Sequence, residues 1–405
     1  MGRIFFLASH KCVGASGGGH GVVFRLYQAE KKHHLFNKEV IYVFGDRIIK
    51  GHDELGDYQE QKDMPKQSAL RIKVKKYIPS ILRIIKMEKM YKSLGNYLEQ
   101  LNHDFEFQND DIFIFHDFRI ARVFVKKFKF KNCALVYHMQ GSIYFEWHAE
   151  TGISSKIMQN YYNKTFREIL SGIKYLCFPS KGTEESLIDS EPLTSNVVEL
   201  ANRKYLYNGV NCPEIKRDKL VSWVEKIKLL QCYKFATVAN LNEAKAVERI
   251  PQYLAAIKRA GIHFKWILVG NGVKEGEVEA EIKKYGLGNE VIWKKNGVPH
   301  DELMELFSVT DFYILLHKYS IFDLSTLEAM HYGNIPILTP VGGNKEIIIE
   351  NNGIFVSDFS NAENFVELVS ADRLGAMKEK NIKIQNSKFD DRAFLQRYVD
   401  LCEEF

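Results

Sequence analysis

A chain of 405 residues, 45% hydrophobic and 26% charged with only 9 prolines, is long enough for two folded domains and too apolar for extensive disorder. Its net charge of +5 does not by itself point to nucleic acid. No apolar run approaches the length of a bilayer-spanning helix, so a soluble or at most peripheral protein is expected.

Chain order alternates apolar strands with helical stretches, the pattern of an α/β fold with parallel sheets. The opening MGRIFFLASH is too short in its apolar part for a signal peptide and reads as a first strand, Ile4–Ala8. Further strands are expected at Val40–Phe44, Ile112–His116, Ala134–His138 and Tyr175–Pro179. Helices are expected at Gly21–Lys32, Ser80–Leu101, Ile120–Phe128 and Tyr161–Ser171. The polar stretch from Asn208, with Pro213, reads as a linker leading into a helix, which places a domain boundary near residue 210. The second half repeats the alternation, with strands at Phe235–Val238, Lys265–Val269, Val291–Trp293, Phe312–Leu316 and Ile335–Leu338. Helices fall at Val247–Ala260, Glu275–Tyr285, Asp301–Val309, Ser325–Tyr332 and Ala362–Val369, and a last helix covers 391–405.

Six cysteines (Cys12, Cys133, Cys177, Cys212, Cys232 and Cys402) lack CxxC spacing. They read as reduced core thiols, which fits a cytosolic compartment and not a zinc site. No His/Asp/Glu cluster has metal-ligand spacing either. Positive charge is concentrated in the first half: Arg71–Lys92 holds eight bases against the single acid Glu88. Ile78, Ile81, Leu82, Ile85 and Met90 recur there at near-helical spacing. That pattern fits either a solvated helix on the first sheet or a basic amphipathic surface for anionic lipid.

Several loops carry chemistry. Gly14–Gly21 follows the first strand and opens a helix, but it is neither a dinucleotide fingerprint nor a P-loop. His116 and His138 end successive apolar strands; a lone histidine there is ordinarily structural. Thr237–Lys245 follows the first strand of the second half, and VGNG (Val269–Gly272) follows the next. The richest segment is Asp311–Glu346: buried strand, loop, helix with Glu328, second buried strand, then Gly342-Gly343 before Glu346. Loops at the carboxyl ends of parallel strands hold nucleotides. A helix start offers free N–H groups to phosphate.

That segment resembles the donor site of the retaining GT-B glycosyltransferases of family 4. LEAMHYG supplies the family's second Glu as Glu328, and IPILTPVGGNKEII matches the family's next strand and Gly-rich loop. The family's first Glu falls on Ser320 and its Arg on Asn240, whereas its Lys is present as Lys245. The resemblance implies two Rossmann-like domains facing each other across a cleft. Residues 1–210 would bind the acceptor and 211–390 the nucleotide-sugar, with 391–405 crossing back to the first domain. It implies sugar transfer with retention to an acceptor hydroxyl, by a front-face, metal-independent route in cell-surface polysaccharide or glycoconjugate synthesis. No cofactor is expected; the nucleotide-sugar, expected as a UDP-sugar, is a substrate.

By the same resemblance His138, Lys245 and Glu328 act at the reaction centre. Gly18, Gly19, Asn240, Gly270, Gly272, Ser320, Phe322, Asp323, Leu324, Ser325 and Glu328 hold the donor, with Asp323 a partial substitute for the missing Glu. Asn296–Val298 lies towards the base. A saccharide, lipid-linked or protein-linked acceptor is expected and nucleic acid is not. The location is cytoplasmic or peripheral on the inner membrane face, through Arg71–Lys92. Two rival readings stay open: a non-catalytic glycosyltransferase-like subunit that binds a partner or glycan, and a sugar-nucleotide epimerase.

Overall fold

The structure, a computed structural model, describes residues 2–12, 18–51, 53, 79–190, 198, 201–216, 219–371 and 373–405. Gly14–Gly17 of the first glycine-rich stretch and Arg71–Ile78 of the basic stretch lie outside these residues. The chain divides into two compact units: Met1–Asn208 with Phe394–Phe405, and Gly209–Ala393.

The first unit is built on a seven-stranded sheet: β1 Ile4–Leu7, β2 Val40–Val43, β3 Ile48–Lys50, β4 Ile112–Phe115, β5 Cys133–Val136, β6 Tyr175–Phe178 and β7 Asn202–Tyr205. The strand order is β3-β2-β1-β4-β5-β6-β7, parallel throughout except for β3, which runs antiparallel to β2. Strands β1, β2, β4, β5 and β6 are buried along their whole length. Such strands need no polar face, which is why they read as continuous apolar runs. Their side chains alternate between two cores. Ile4 and Phe6 join Tyr42, Ile114, Val23 and Leu26 on one face, with Phe394, Leu395 and Tyr398 from the last helix, Asp391–Glu403. Phe5 and Leu7 join Phe113, Phe115, Leu98, Phe124 and Phe166 on the other.

The second unit holds an all-parallel six-stranded sheet: β8 Tyr233–Val238, β9 Phe264–Val269, β10 Val291–Lys294, β11 Phe312–Leu315, β12 Ile335–Leu338 and β13 Ile354–Phe355. Its order, β10-β9-β8-β11-β12-β13, is that of a nucleotide-binding doubly wound sheet. The order reverses between β8 and β11. The loops leaving those two strands therefore diverge to opposite faces and leave a crevice at their carboxyl ends.

Most expected elements are present to within a few residues. The departures are instructive. Ala134–His138 ends earlier as a strand, at Val136, so His138 stands in the loop beyond it. Val247–Ala260 begins as a 3-10 turn, Val247–Arg249, before the helix Ile250–Arg259. The strands β3, β7 and β13 and the helices Ile143–Thr151, Lys181–Ser190 and Leu374–Lys388 are not foreshadowed by periodicity. β7 is the polar edge strand NRKY, and helix Leu374–Lys388 buries Asn381 and Gln385 beside the single apolar Ile384. Among the described residues no helix is long and apolar enough to cross a membrane.

One ion pair ties the start of the first sheet to its neighbour. Asp111 is wholly buried and accepts from Arg3 Nε at 3.1 Å, Arg3 NH2 at 2.7 Å and the Arg3 and Gln108 amides at 2.8 Å each. Burial pushes the carboxyl pKa up, but the Arg3 and amide hydrogen bonds outweigh it and hold it below its ordinary value. A depressed folded pKa adds stability that is complete above the unfolded value of about 3.9 and fades as pH falls through the folded value. Asp111→Asn should therefore cost about 3 kcal/mol at neutral pH and flatten the acid limb of the stability curve. Urea titrations between pH 3 and 7 check both effects.

Candidate functional site

At the switch point of the second sheet, β8 runs into the loop Ala239–Ala246 and β11 into the loop Leu316–Asp323. Local chemistry shapes the first loop. Asn242 Oδ1 accepts from the Ala244 and Lys245 amides at 3.1 and 3.0 Å, and Ala246 follows in the left-handed region at φ 47°. The loop is then tied to its neighbour, because the Ala244 carbonyl accepts from the Lys318 amide at 2.9 Å.

The second loop ends in a helix start. Asp323 is the N-cap of helix Leu324–His331: its carboxylate accepts from Thr326 N at 3.0 Å and from Thr326 Oγ1 at 2.7 Å. The other carboxylate oxygen accepts from Lys245 Nζ. His317, 1% exposed, has Nε2 at 3.6 Å from Asp323 and 3.3 Å from Lys245, and Nδ1 at 3.3 Å from Asn344 Nδ2. Burial drives the Asp323 carboxyl pKa up, but Lys245 and His317 outweigh it and hold the group well below the carboxylate range. Burial, helped by the Lys245 charge, pushes His317 down and keeps it neutral at physiological pH.

Glycines bring two further loops in. Gly270 has φ 126°, and a Cβ on it would lie 2.0 Å from the Ala239 carbonyl oxygen; one on Gly272 would lie 2.3 Å from that of Leu241. Only glycine lets the loop after β9 lie this close to the loop after β8. Gly342, at φ 49°, and Gly343 press in the same way on the Ser320 and Ile321 carbonyls, and the Gly343 amide donates to Ser320 O at 3.1 Å. The Ser320 hydroxyl is buried and has no hydrogen-bond partner among the described residues. Phe322 stacks edge-on to Phe389, with centroids 5.5 Å apart.

Glu328 stands on helix Leu324–His331, buried, with Oε1 at 3.3 Å from His300 Nε2. It is the fifth residue of the helix and directly follows the free N–H groups of the first turn. Tyr313, wholly buried, has its hydroxyl 3.3 Å from Asp323 Oδ2; burial, with the Asp323 and Glu328 charges adding to it, pushes its pKa well above the ordinary value. Lys245, Ser320, Asp323, Glu328 and the glycines 270, 272, 342 and 343 thus gather along one rim of the second sheet. Asn240 is exposed on the same loop as Lys245. His317 and His300 are the site neighbours that sequence reasoning missed; each is a lone histidine with no motif to single it out.

Sequence-named residues of the first unit stand in the segments that follow β1, β4 and β5. Gly18 and Gly19 are the first two residues of helix Gly18–His33. His138 Nε2 sits 2.9 Å from His116 Nδ1, with the rings stacked at 5.2 Å. Burial and the neighbouring His138 charge push buried His116 well below its ordinary pKa. Beside them Asp117, also buried, accepts from Ser9 and Arg119 and lies 3.2 Å from His10. Among the described residues no three His, Cys, Asp or Glu side chains are grouped to hold a metal ion.

Two doubly wound units with these topologies define the GT-B class of fold. The sucrose-phosphate synthase of Thermosynechococcus elongatus superposes with a TM-score of 0.67 at 17% identity, covering 100% of this chain and 99% of that one. Anabaena HepE, solved in complex with UDP, gives a TM-score of 0.61 at 14% identity, with both chains covered completely. At these identities the likeness is one of fold. Residues 225–380, which lie within the second unit and include the Asp311–Glu346 segment, match the family model of glycosyl transferases group 1. An uncharacterized glycosyltransferase of Methanocaldococcus jannaschii is 29% identical over 161 residues, which span 38% of this chain and 40% of that relative.

The close approach of Gly343 to the Ile321 carbonyl makes a direct prediction. Gly343→Ala forces the two loops apart and should destabilise the second unit by about 2 kcal/mol or more. Gly276→Ala, in the open space of helix Glu275–Lys284, should be neutral or stabilising by up to about 1 kcal/mol. Urea unfolding followed by fluorescence of Trp266 and Trp293 compares them.

Proposed function

We propose that this chain is a glycosyltransferase of the family 4 type that moves a sugar from a nucleotide-sugar donor, with a UDP-sugar as first choice, to an acceptor hydroxyl with retention of configuration. The observation that carries the reading is the convergence of Lys245, Ser320, Asp323 and Glu328 at the carboxyl ends of β8 and β11, within the segment that matches the family model. Glu328 faces the ribose, because a carboxylate accepts from two vicinal hydroxyls at once. The loops carrying Asn240, Gly270, Gly272, Phe322, Leu324 and Ser325 enclose the phosphates and sugar, with the base towards Asn296–Val298. Such chemistry rests on positioning and on stabilising the departing phosphate. The first unit receives a saccharide, lipid-linked or protein-linked acceptor near Gly18, Gly19 and His138. His138 acts in the reaction, and His116 fixes its orientation. The reaction requires no metal and serves polysaccharide or glycoconjugate assembly in the cytoplasm.

Glu328→Gln keeps the side-chain shape and removes the charge, so it should weaken nucleotide-sugar binding about tenfold or more while leaving the melting temperature within a degree or two. A thermal-shift screen of UDP-, GDP- and ADP-sugars on both proteins tests this, since a ligand of the native state raises the melting temperature. Shifts of equal size in the two proteins count against the assignment.

Peripheral attachment is supported by helix Ser80–Phe105. Ile81, Leu82 and Ile85 are 60%, 54% and 46% exposed, Lys86, Lys89 and Lys92 are exposed, and the acid Glu88 is engaged by Arg122 and Tyr161. Each base at an anionic surface contributes about 1 kcal/mol. The double variant Lys86→Glu/Lys89→Glu should therefore bind phosphatidylserine vesicles at least tenfold more weakly in co-sedimentation. Undiminished binding rules this helix out as the contact.

A second reading has its own observations. Ser320 and Asn240 stand where the resemblance expects Glu and Arg, and Lys245 already holds a carboxylate. These favour a non-catalytic glycosyltransferase-like subunit. Absence of donor hydrolysis and of sugar transfer, with nucleotide binding retained, would select it.

A further inference from the structure

The two groups best suited to grip a phosphate at the second switch point, the Lys245 ammonium and the first-turn amide of helix Leu324–His331, both hold the carboxylate of Asp323. We infer that Asp323 is a resident counter-anion that fills the phosphate position formed by Lys245 and the helix start, so that a phosphoryl ligand reaches them only by displacing it. The inference rests on the reading that this switch point takes the donor.

Three observations carry it. The carboxylate is saturated: Thr326 N and Thr326 Oγ1 occupy one oxygen, Tyr313 Oη lies 3.3 Å from the same atom, and Lys245 occupies the other with His317 behind it. It is also 6% exposed, so the surrounding loops are packed around it.

Next, three other lysines around these loops are paired with acids. Lys274 contacts Glu243 and Glu277 at 2.9 and 2.7 Å, Lys318 contacts Glu243, and Lys295 contacts Glu275 and Glu279. The Glu243 carboxyl, exposed but bonded by Lys318 and Lys274, is held down to about 2. A diphosphate entering beside an ionised Asp323 finds like charge within a few ångströms and no uncompensated lysine among these. Like charge at that range opposes binding strongly where water is excluded.

Last, Ser320 leaves a buried hydroxyl without a partner in the same loop, so the rim retains neutral hydrogen-bonding capacity while its positive charge is spent internally. Sugar hydroxyls match such a rim better than phosphate does.

Asp323→Asn isolates the charge. Asparagine caps a helix as well as aspartate does, so the fold is expected to survive. Titration calorimetry with inorganic pyrophosphate and with UDP compares the wild-type protein, Asp323→Asn and the double variant Asp323→Asn/Lys245→Ala. The expected result is at least a tenfold gain in pyrophosphate and UDP affinity in Asp323→Asn, abolished in the double variant. A purely structural aspartate would not yield a gain. A gain for pyrophosphate alone sustains the inference and removes the nucleotide reading. Wild-type UDP binding that equals or exceeds that of Asp323→Asn overturns the inference and leaves the nucleotide reading in place. A gain that survives loss of Lys245 also overturns it, as does failure of all three proteins to bind pyrophosphate.

Discussion

The ion pair between buried Asp323 and half-buried Lys245 is the constraint on which the loop rim of the second unit depends. Strand order places the ends of β8 and β11 side by side, but backbone pairing stops there and the loops must be fixed by side chains. Asp323 does this twice. It starts helix Leu324–His331 by capping Thr326, and it holds the β8 loop through Lys245. Burying the Asp323 carboxylate is costly, and it persists because Lys245 and Thr326 donate to it, while the Lys245 side chain itself stays 29% exposed. The neutral His317 stands behind it, with its Nδ1 towards the Asn344 side-chain nitrogen.

Around this pair the loops are joined by backbone contacts instead of side-chain packing. Gly270, Gly272, Gly342 and Gly343 each lie against a carbonyl where no Cβ fits. Such a rim is rigid in its main chain and free to vary in the few side chains that meet a ligand, which is how one sheet supports many chemistries. Here the variation runs towards neutrality. Ser320 and Asn240 carry no charge, and the lysine that the sequence marks as a phosphate ligand is bound to an internal acid.

Much of this was legible in the sequence because buried parallel strands are continuous apolar runs. Phe312–Leu315 and Ile335–Leu338 are examples, and their loops carry the motif around Glu328. What escaped was polar. β7 is an exposed edge strand of Asn, Arg, Lys and Tyr, and helix Leu374–Lys388 is pinned by Asn381 bonding to Asn352 instead of by an apolar stripe. His317 and His300 gave no signal, since their roles arise from contacts across 6 to 28 residues and more. Asp323 was noticed only as a substitute for a missing acid. Its position at the helix start and its hold on Lys245 are facts of three dimensions, invisible to spacing along the chain.

A crystal grown with UDP tests the central assignment most directly, because it shows where a nucleotide sits. The ribose is expected within hydrogen-bond distance of Glu328, with the base beside Asn296–Val298 and the diphosphate at the mouth of the β8 and β11 loops. Density for UDP anywhere else on the second unit, with Glu328 still bound only to its protein neighbours, would contradict the assignment.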